Sequence, residues 1–154
     1  RFLCVVLFYC FILNVNCATL YMNPNGSPGD CSQASPCGNL QEILDAFDNS
    51  TTLNVMVANG VYPPENNINT TFPIADISLI GAGDSVFNCN QTQLYSTHLI
   101  LMSFKGDGSH SLTITGIEFD SCESPVYTYR VSDIFVQNIS LSGYSRNGLQ
   151  FNKQ

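Results

Sequence analysis

The chain has 154 residues and a formal net charge of −7 at pH 7, with five Lys plus Arg against twelve Asp plus Glu. That length holds one domain with a real core, and the acidic balance excludes a nucleic-acid binder, which needs a basic footprint, and disfavours anionic membrane surfaces. Charged residues make up 11% of the chain while Asn alone occurs sixteen times, so the surface is built from Asn, Ser and Thr, as suits a turn-rich, all-β protein.

Arg1 is followed by an unbroken apolar run of twelve residues, Phe2 to Leu13. A bilayer span needs about 20, so the run reads as the hydrophobic stretch of a signal peptide. Val15 and Cys17 stand at the small-residue positions of a cleavage site before Ala18. Residues 1–17 are therefore expected to be a signal peptide with a truncated start, since no initiator Met precedes Arg1. Its removal takes away Cys4, Cys10 and Cys17 and leaves Cys31, Cys37, Cys89 and Cys122. The odd set of thiols becomes an even one, as expected where cysteines pair in an oxidising compartment. Four Asn-x-Ser/Thr sequons, at Asn49, Asn69, Asn90 and Asn138, are candidate glycosylation sites on the same secretory route. The expected location is extracellular or at the cell surface, and no membrane span is expected within residues 18–154.

Ala18–Met22 reads as a strand, followed by a loop rich in Asn, Pro, Gly and Ser through Pro36, with Cys31 and Cys37 bracketing its end. A helix is expected from about Asn39 to Phe47, because Leu40, Ile43, Leu44 and Phe47 fall at helical spacing before Asp48-Asn49-Ser50 ends the segment. One amphipathic helix ahead of repeated strands suits a cap over an open sheet edge. The cap is taken as residues 18–52 and the strand array as residues 53–154, incomplete at its C-terminus.

Within the array an apolar-x-apolar-x-[Gly/Asn] pattern recurs at Val55–Asn59, Ile77–Gly81, Leu112–Gly116 and Ile134–Asn138. Val55 and Ile77 are 22 residues apart, as are Leu112 and Ile134. A fixed period with β-type alternation predicts a stacked, solenoidal chain of up to three short strands per repeat. In the last two repeats these are Leu112–Thr115, Ile117–Phe119 and Val126–Tyr129, then Ile134–Gln137, Ile139–Leu141 and Leu149–Phe151. Alternation sends Leu112, Ile114, Ile117 and Phe119 to one side, with Ile134, Val136, Ile139 and Leu141 stacked on them. Gly81, Gly116 and Asn138 fall at the bends, where residues tolerant of positive φ are physically sensible. The extra residues of the third repeat fall around Gly81–Ser85 and Asn88–Thr97. An antiparallel β-sandwich also alternates, but it does not predict the same bend residue at the same place after 22 residues.

Two segments carry a family resemblance. Leu20–Gly26 followed by Ser35–Ala46 resembles the opening of pectin-lyase-like proteins, where a strand and a glycine turn precede a "TIQEA"-type helix. Ala58-Asn59-Gly60-Val61-Tyr62 is similar to the "GxY" segment that follows in pectinesterases and their relatives. The resemblance implies an all-β fold, a right-handed parallel β-helix with an N-terminal capping helix. The closest style is that of extracellular members with Pro-Cys before the cap helix, related in architecture to polymorphic outer-membrane proteins. The Phe-x-x-Asn motif of the latter occurs at Phe87–Asn90 and Phe135–Asn138, and their Gly-Gly-Ala motif is absent. With ten Phe and sixteen Asn, about one such match arises by chance.

An enzyme of the pectinesterase type needs paired Asp and an Arg on one exposed sheet face, and a lyase needs a basic residue beside Asp-bound calcium. The cations Lys105, Arg130, Arg146 and Lys153 do not lie in such motifs. Glu118, Asp120 and Glu123 gather near Cys122, with Asp107 nearby in sequence, and are read as solvated turn carboxylates rather than a calcium or acid/base site. His98 and His110 have no third ligand at metal spacing. No catalytic residue, metal or cofactor is therefore assigned. Cys31 and Cys37 bracket a small loop, while Cys89 follows Phe87 by two and Cys122 follows Phe119 by three. If those strands are neighbours about 4.8 Å apart, the sulfurs come within bonding range. The expected pairs are Cys31–Cys37 and Cys89–Cys122, among three possible connectivities. Tyr62, Tyr95, Tyr127, Tyr129 and Tyr144 are candidates for stacking on sugar rings, or for ordinary packing. The expected function is non-catalytic adhesion or recognition by a secreted or cell-surface glycoprotein, with carbohydrate or other surface proteins as partners. The alternative is the N-terminal part of a polysaccharide-modifying enzyme of pectinesterase or lyase type.

Overall fold

A computed structural model describes residues 16–48, 50–67, 69–89, 100–143 and 148–152. The chain opens with β1 (Cys17–Met22), α1 (Leu40–Ala46) and β2 (Thr52–Val57), and β1 and β2 pair in parallel. The helix between two parallel neighbours makes a βαβ unit. Next come β3 (Gly60–Tyr62), β4 (Thr70–Phe72), β5 (Asp76–Asn88), β6 (Ile100–Lys105) and β7 (Ser111–Asp120). β8 (Ser124–Tyr129), β9 (Asp133–Gln137), β10 (Ser140–Ser142) and β11 (Leu149–Asn152) complete the described strands. They form a seven-stranded sheet in the order β1-β2-β5-β7-β10, with β3 also on β5 and β9 also on β7, and a four-stranded sheet in the order β4-β6-β8-β11. Every pairing between these strands is parallel.

This arrangement corrects the expected fold class. The strands fall into two parallel sheets with one helix, and the right-handed parallel β-helix solenoid with three short strands per repeat is not what forms. The physical reason lies in the bends. β5 and β7 run on for 13 and 10 residues through the positions read as breaks. Gly116 (φ 67) bends β7 without ending it, whereas Asn138 (φ 52) does separate β9 from β10. Gly81 is small for a different reason: a Cβ there would lie 2.0 Å from the Gly116 carbonyl oxygen. The Gly81–Asp84 stretch is absorbed as a register shift between Ile80 and Ser85 inside β5, the behaviour of a bulge. Within it the Ser85 hydroxyl lies 3.0 Å from the Val57 carbonyl and accepts from the Ala82 N–H at 3.2 Å.

The core is built of ladders of like residues at matching register. Leu20, Val55, Leu79, Ile114 and Val136 are successive partners across β1, β2, β5, β7 and β9. Tyr62, Phe87 and Phe119 form an aromatic stack with centroids 5.1 and 6.1 Å apart. In the four-stranded sheet Phe72 and Phe104 stack at 4.6 Å. Period-2 alternation aims all of these but the half-buried Val136 into one shared core. Thr128 follows Phe104 in register and is fully buried, with its hydroxyl unpaired.

One end of this core is closed by α1, which packs on β1 and β4, the edge strands of the two sheets. Its four leading N–H groups all have acceptors. Leu40 N–H donates to Asn67 Oδ1 (2.8 Å), Gln41 N–H to the Asn66 carbonyl (3.1 Å), Glu42 N–H to Asn39 Oδ1 (3.0 Å) and Ile43 N–H to the Asn39 carbonyl (3.3 Å). The Glu42 carboxylate turns back to accept from Gly38 N–H at 2.6 Å, a reciprocal capping arrangement. Leu40 and Ile43 are buried beneath the helix.

Candidate functional site

The loop after β1 folds back on that strand. Tyr21 N–H donates to the Cys31 carbonyl at 2.7 Å, and Cys37 N–H donates to the Tyr21 carbonyl at 2.9 Å. The Cys31–Cys37 disulfide closes the loop there. A Cβ on Gly26 would lie 2.4 Å from the Pro36 oxygen, so only glycine permits this doubling of the backbone.

Beside this loop the outer face of the seven-stranded sheet carries a groove of about 240 Å³. Its floor is a register ladder, Tyr21 on β1, Met56 on β2 and Ile80 on β5. These residues alternate with the buried Leu20, Val55 and Leu79, so they face away from the core. Asn23, Gln33 and Pro36 of the stapled loop line it, and Gly81 and Ala82 lie in the same lining. No Asp, Glu, Lys, Arg or His lines it. Its chemistry is one aromatic ring, several apolar side chains and two carboxamides. That combination suits an uncharged ligand with both apolar and hydroxyl faces. The volume lies below the roughly 300–1,000 Å³ of drug-sized ligand sites, so it has room for a small unit only.

The residues singled out from the sequence are placed as follows. Cys31 is joined to Cys37 and Cys89 to Cys122, the latter linking the end of β5 to the turn after β7. Two disulfides are the chemistry of an oxidising environment. Asn69 and Asn138 are exposed, with left-handed φ of 58 and 52, while Asn49 and Asn90 lie outside the described residues. So do His98, Tyr95, Tyr144, Arg146, Lys153 and residues 1–15. Tyr62 is corrected as a sugar-stacking candidate. It is fully buried, its hydroxyl lies 2.9 Å from the Ala58 carbonyl and 3.1 Å from the Met22 carbonyl, and burial pushes its phenol up. Tyr21 lines the groove instead. It was legible only as a strand residue, because Met56 and Ile80 join it through register alone.

Of the carboxylates near Cys122, Asp120 and Glu118 are tied up locally. Asn88 Nδ2 donates to Asp120 Oδ2 at 3.0 Å, Ser121 Oγ donates to Asp120 Oδ1 at 3.0 Å, and Ser142 Oγ donates to Glu118 Oε1 at 2.7 Å. Among the described residues no group of three or more His, Cys, Asp or Glu could hold a metal ion. Asp107, Ser109 and His110 also meet. Asp107 Oδ1 accepts from Ser109 N–H (2.9 Å) and Oγ (2.6 Å) and lies 3.0 Å from His110 Nδ1. The bonds from Ser109 and His110 hold the Asp107 carboxyl well below the usual carboxylate range. Ser109 Oγ contacts that same ring nitrogen at 3.2 Å. A hydrolytic relay needs Ser and Asp on opposite ring nitrogens, so this trio orders a loop. Arg130 reaches the Asp107 carbonyl at 3.4 Å.

No helix among the described residues is long and apolar enough to cross a membrane. No protein-family model, curated protein or solved structure matches the chain.

Proposed function

We propose that this is an exported, non-catalytic recognition protein of the cell surface or extracellular space, and that the groove over β1, β2 and β5 takes a neutral carbohydrate unit. The observation that carries the reading is the uncharged lining of Tyr21, Met56, Ile80, Asn23 and Gln33 on an outward sheet face. A sugar presents C–H faces to an aromatic or aliphatic floor and hydroxyls to carboxamides at the rim. A charged ligand would leave its charge without a partner there. The disulfides and the exposed sequons at Asn69 and Asn138 support export.

The test is to screen the purified protein against neutral oligosaccharides and to measure the hits by calorimetry. Tyr21→Ala is expected to weaken binding about tenfold with an unchanged far-UV circular dichroism spectrum. Absence of any neutral glycan ligand, or affinity indifferent to Tyr21→Ala, overturns the reading. Release of new reducing ends from a polysaccharide makes the protein an enzyme instead.

A further inference from the structure

The two Phe-x-x-Asn segments have opposite fates. Phe87 is 0% exposed and sits between Tyr62 and Phe119 in the aromatic stack. Phe135 is 56% exposed on the outer side of β9, alternating with the inward-facing Ile134 and Val136. Its register partner on β7 is Thr113, too small to cover a phenyl ring. Three residues later Asn138, exposed and left-handed, turns the chain from β9 into β10. Among the described residues β9 and β10 pair only with β7. The same corner carries the sequon Asn138-Ile139-Ser140.

We infer that Asn138 carries an N-linked glycan whose first sugar packs on the Phe135 ring. The reach is sufficient, since three residues span about 10 Å even when fully extended and the left-handed turn at Asn138 shortens that span. An N-acetylglucosamine ring offers C–H groups to the aromatic face, so the glycan supplies an apolar lid. Asn69 is the internal contrast. It is an exposed sequon with the same backbone conformation, but the residue three before it is Asn66.

This inference rests on the export reading, and the experiment separates the two. The chain is produced through a eukaryotic secretory pathway and its peptides are mapped before and after treatment with a glycan-releasing amidase. The Asn138 peptide is expected to carry a glycan. The thermal midpoint is expected to fall by about 2–4 °C on deglycosylation in the parent protein, and the part of that fall due to Asn138 is expected to vanish in Phe135→Ala. A Ser140→Ala variant isolates that part by leaving the Asn69 sequon intact. Modification at Asn69 with an unmodified Asn138 overturns the inference while leaving export standing. Failure of export with every sequon bare overturns both. An equal midpoint shift in Phe135→Ala overturns the ring contact.

Discussion

The first and last layers of the described strands are covered differently. At the β1 and β4 end, α1 lies over the core, Asn67 and Asn39 satisfy its N-terminus, and a disulfide-closed loop bonds to the edge of β1. At the β9, β10 and β11 end, Phe135, Leu141 and Phe151 are 56%, 46% and 45% exposed. Yet Leu141 is the register partner of fully buried Phe119, and Phe151 of fully buried Thr128. The same ladder positions are core in one layer and surface in the next. Burial here is thus set by position along the stack of strands more than by residue type, and the first end is covered by a local segment that the chain supplies itself.

The largest test of that contrast is covalent. Replacing Cys89 and Cys122 together with Ser is expected to cost about 4 kcal/mol, because the bond closes a loop of 33 residues, whereas the Cys31–Cys37 pair, 6 apart, is expected to cost about 2 kcal/mol. Equal losses in urea denaturation would show that the stapled loop stabilises the covered end beyond its chain entropy. Leu79→Ala, in the buried middle of its ladder, is expected to cost about 3 kcal/mol. Phe151→Ala, in the last described strand, should stay within about 0.5 kcal/mol. A large loss for Phe151→Ala would mean that this end is covered in solution.

Asn67→Ala is expected to cost about 2 kcal/mol, since it strands the buried Leu40 N–H and removes the bond to the Pro63 carbonyl. Hydrogen exchange should then speed up in α1 before it does in β7. Thr128→Val is expected to stabilise the protein by about 1 kcal/mol by removing a buried, unpaired hydroxyl from the four-stranded sheet; a loss on thermal denaturation would reveal a partner for that hydroxyl. The smallest effect is acidic. Asp107 is lowered from its ordinary value of 3.8, so its contribution is complete above that pH and is lost as the pH falls through the lower folded value. Amide exchange at Ser109 is expected to rise only below pH 3.8, and in Asp107→Asn the rise should be absent.

Much of the local structure was legible from residue order. The helix stripe of Leu40, Ile43 and Leu44 with Asn39 before it gave α1 within one residue at each end, because caps and 3.6-residue spacing are local properties. The 22-residue spacing placed Leu112 opposite Ile134 and Ile114 opposite Val136, and those are the observed parallel partners, whereas Val55, also 22 residues before Ile77, pairs with Leu79 instead. The same spacing led the fold class astray, since it says nothing about whether Gly116 ends a strand or only bends it. β4 and β6 were not seen at all. Three residues such as Thr70–Phe72 carry too little pattern, and they become a strand only when Phe72 finds Phe104.

By itself the sequence determined the acidic, charge-poor surface, the helix and its cap, the alternating strands and the even set of four cysteines after residue 17. These follow from composition and short-range spacing, which act within a few residues. Only the tertiary structure decided that the strands sort into two sheets, that Tyr62 is buried while Tyr21 lines a groove, and that Phe87 is core while Phe135 is surface. The reason is physical: each of those outcomes depends on which strand lies alongside at about 4.8 Å. That neighbour comes from tens of residues away, where no local pattern names it.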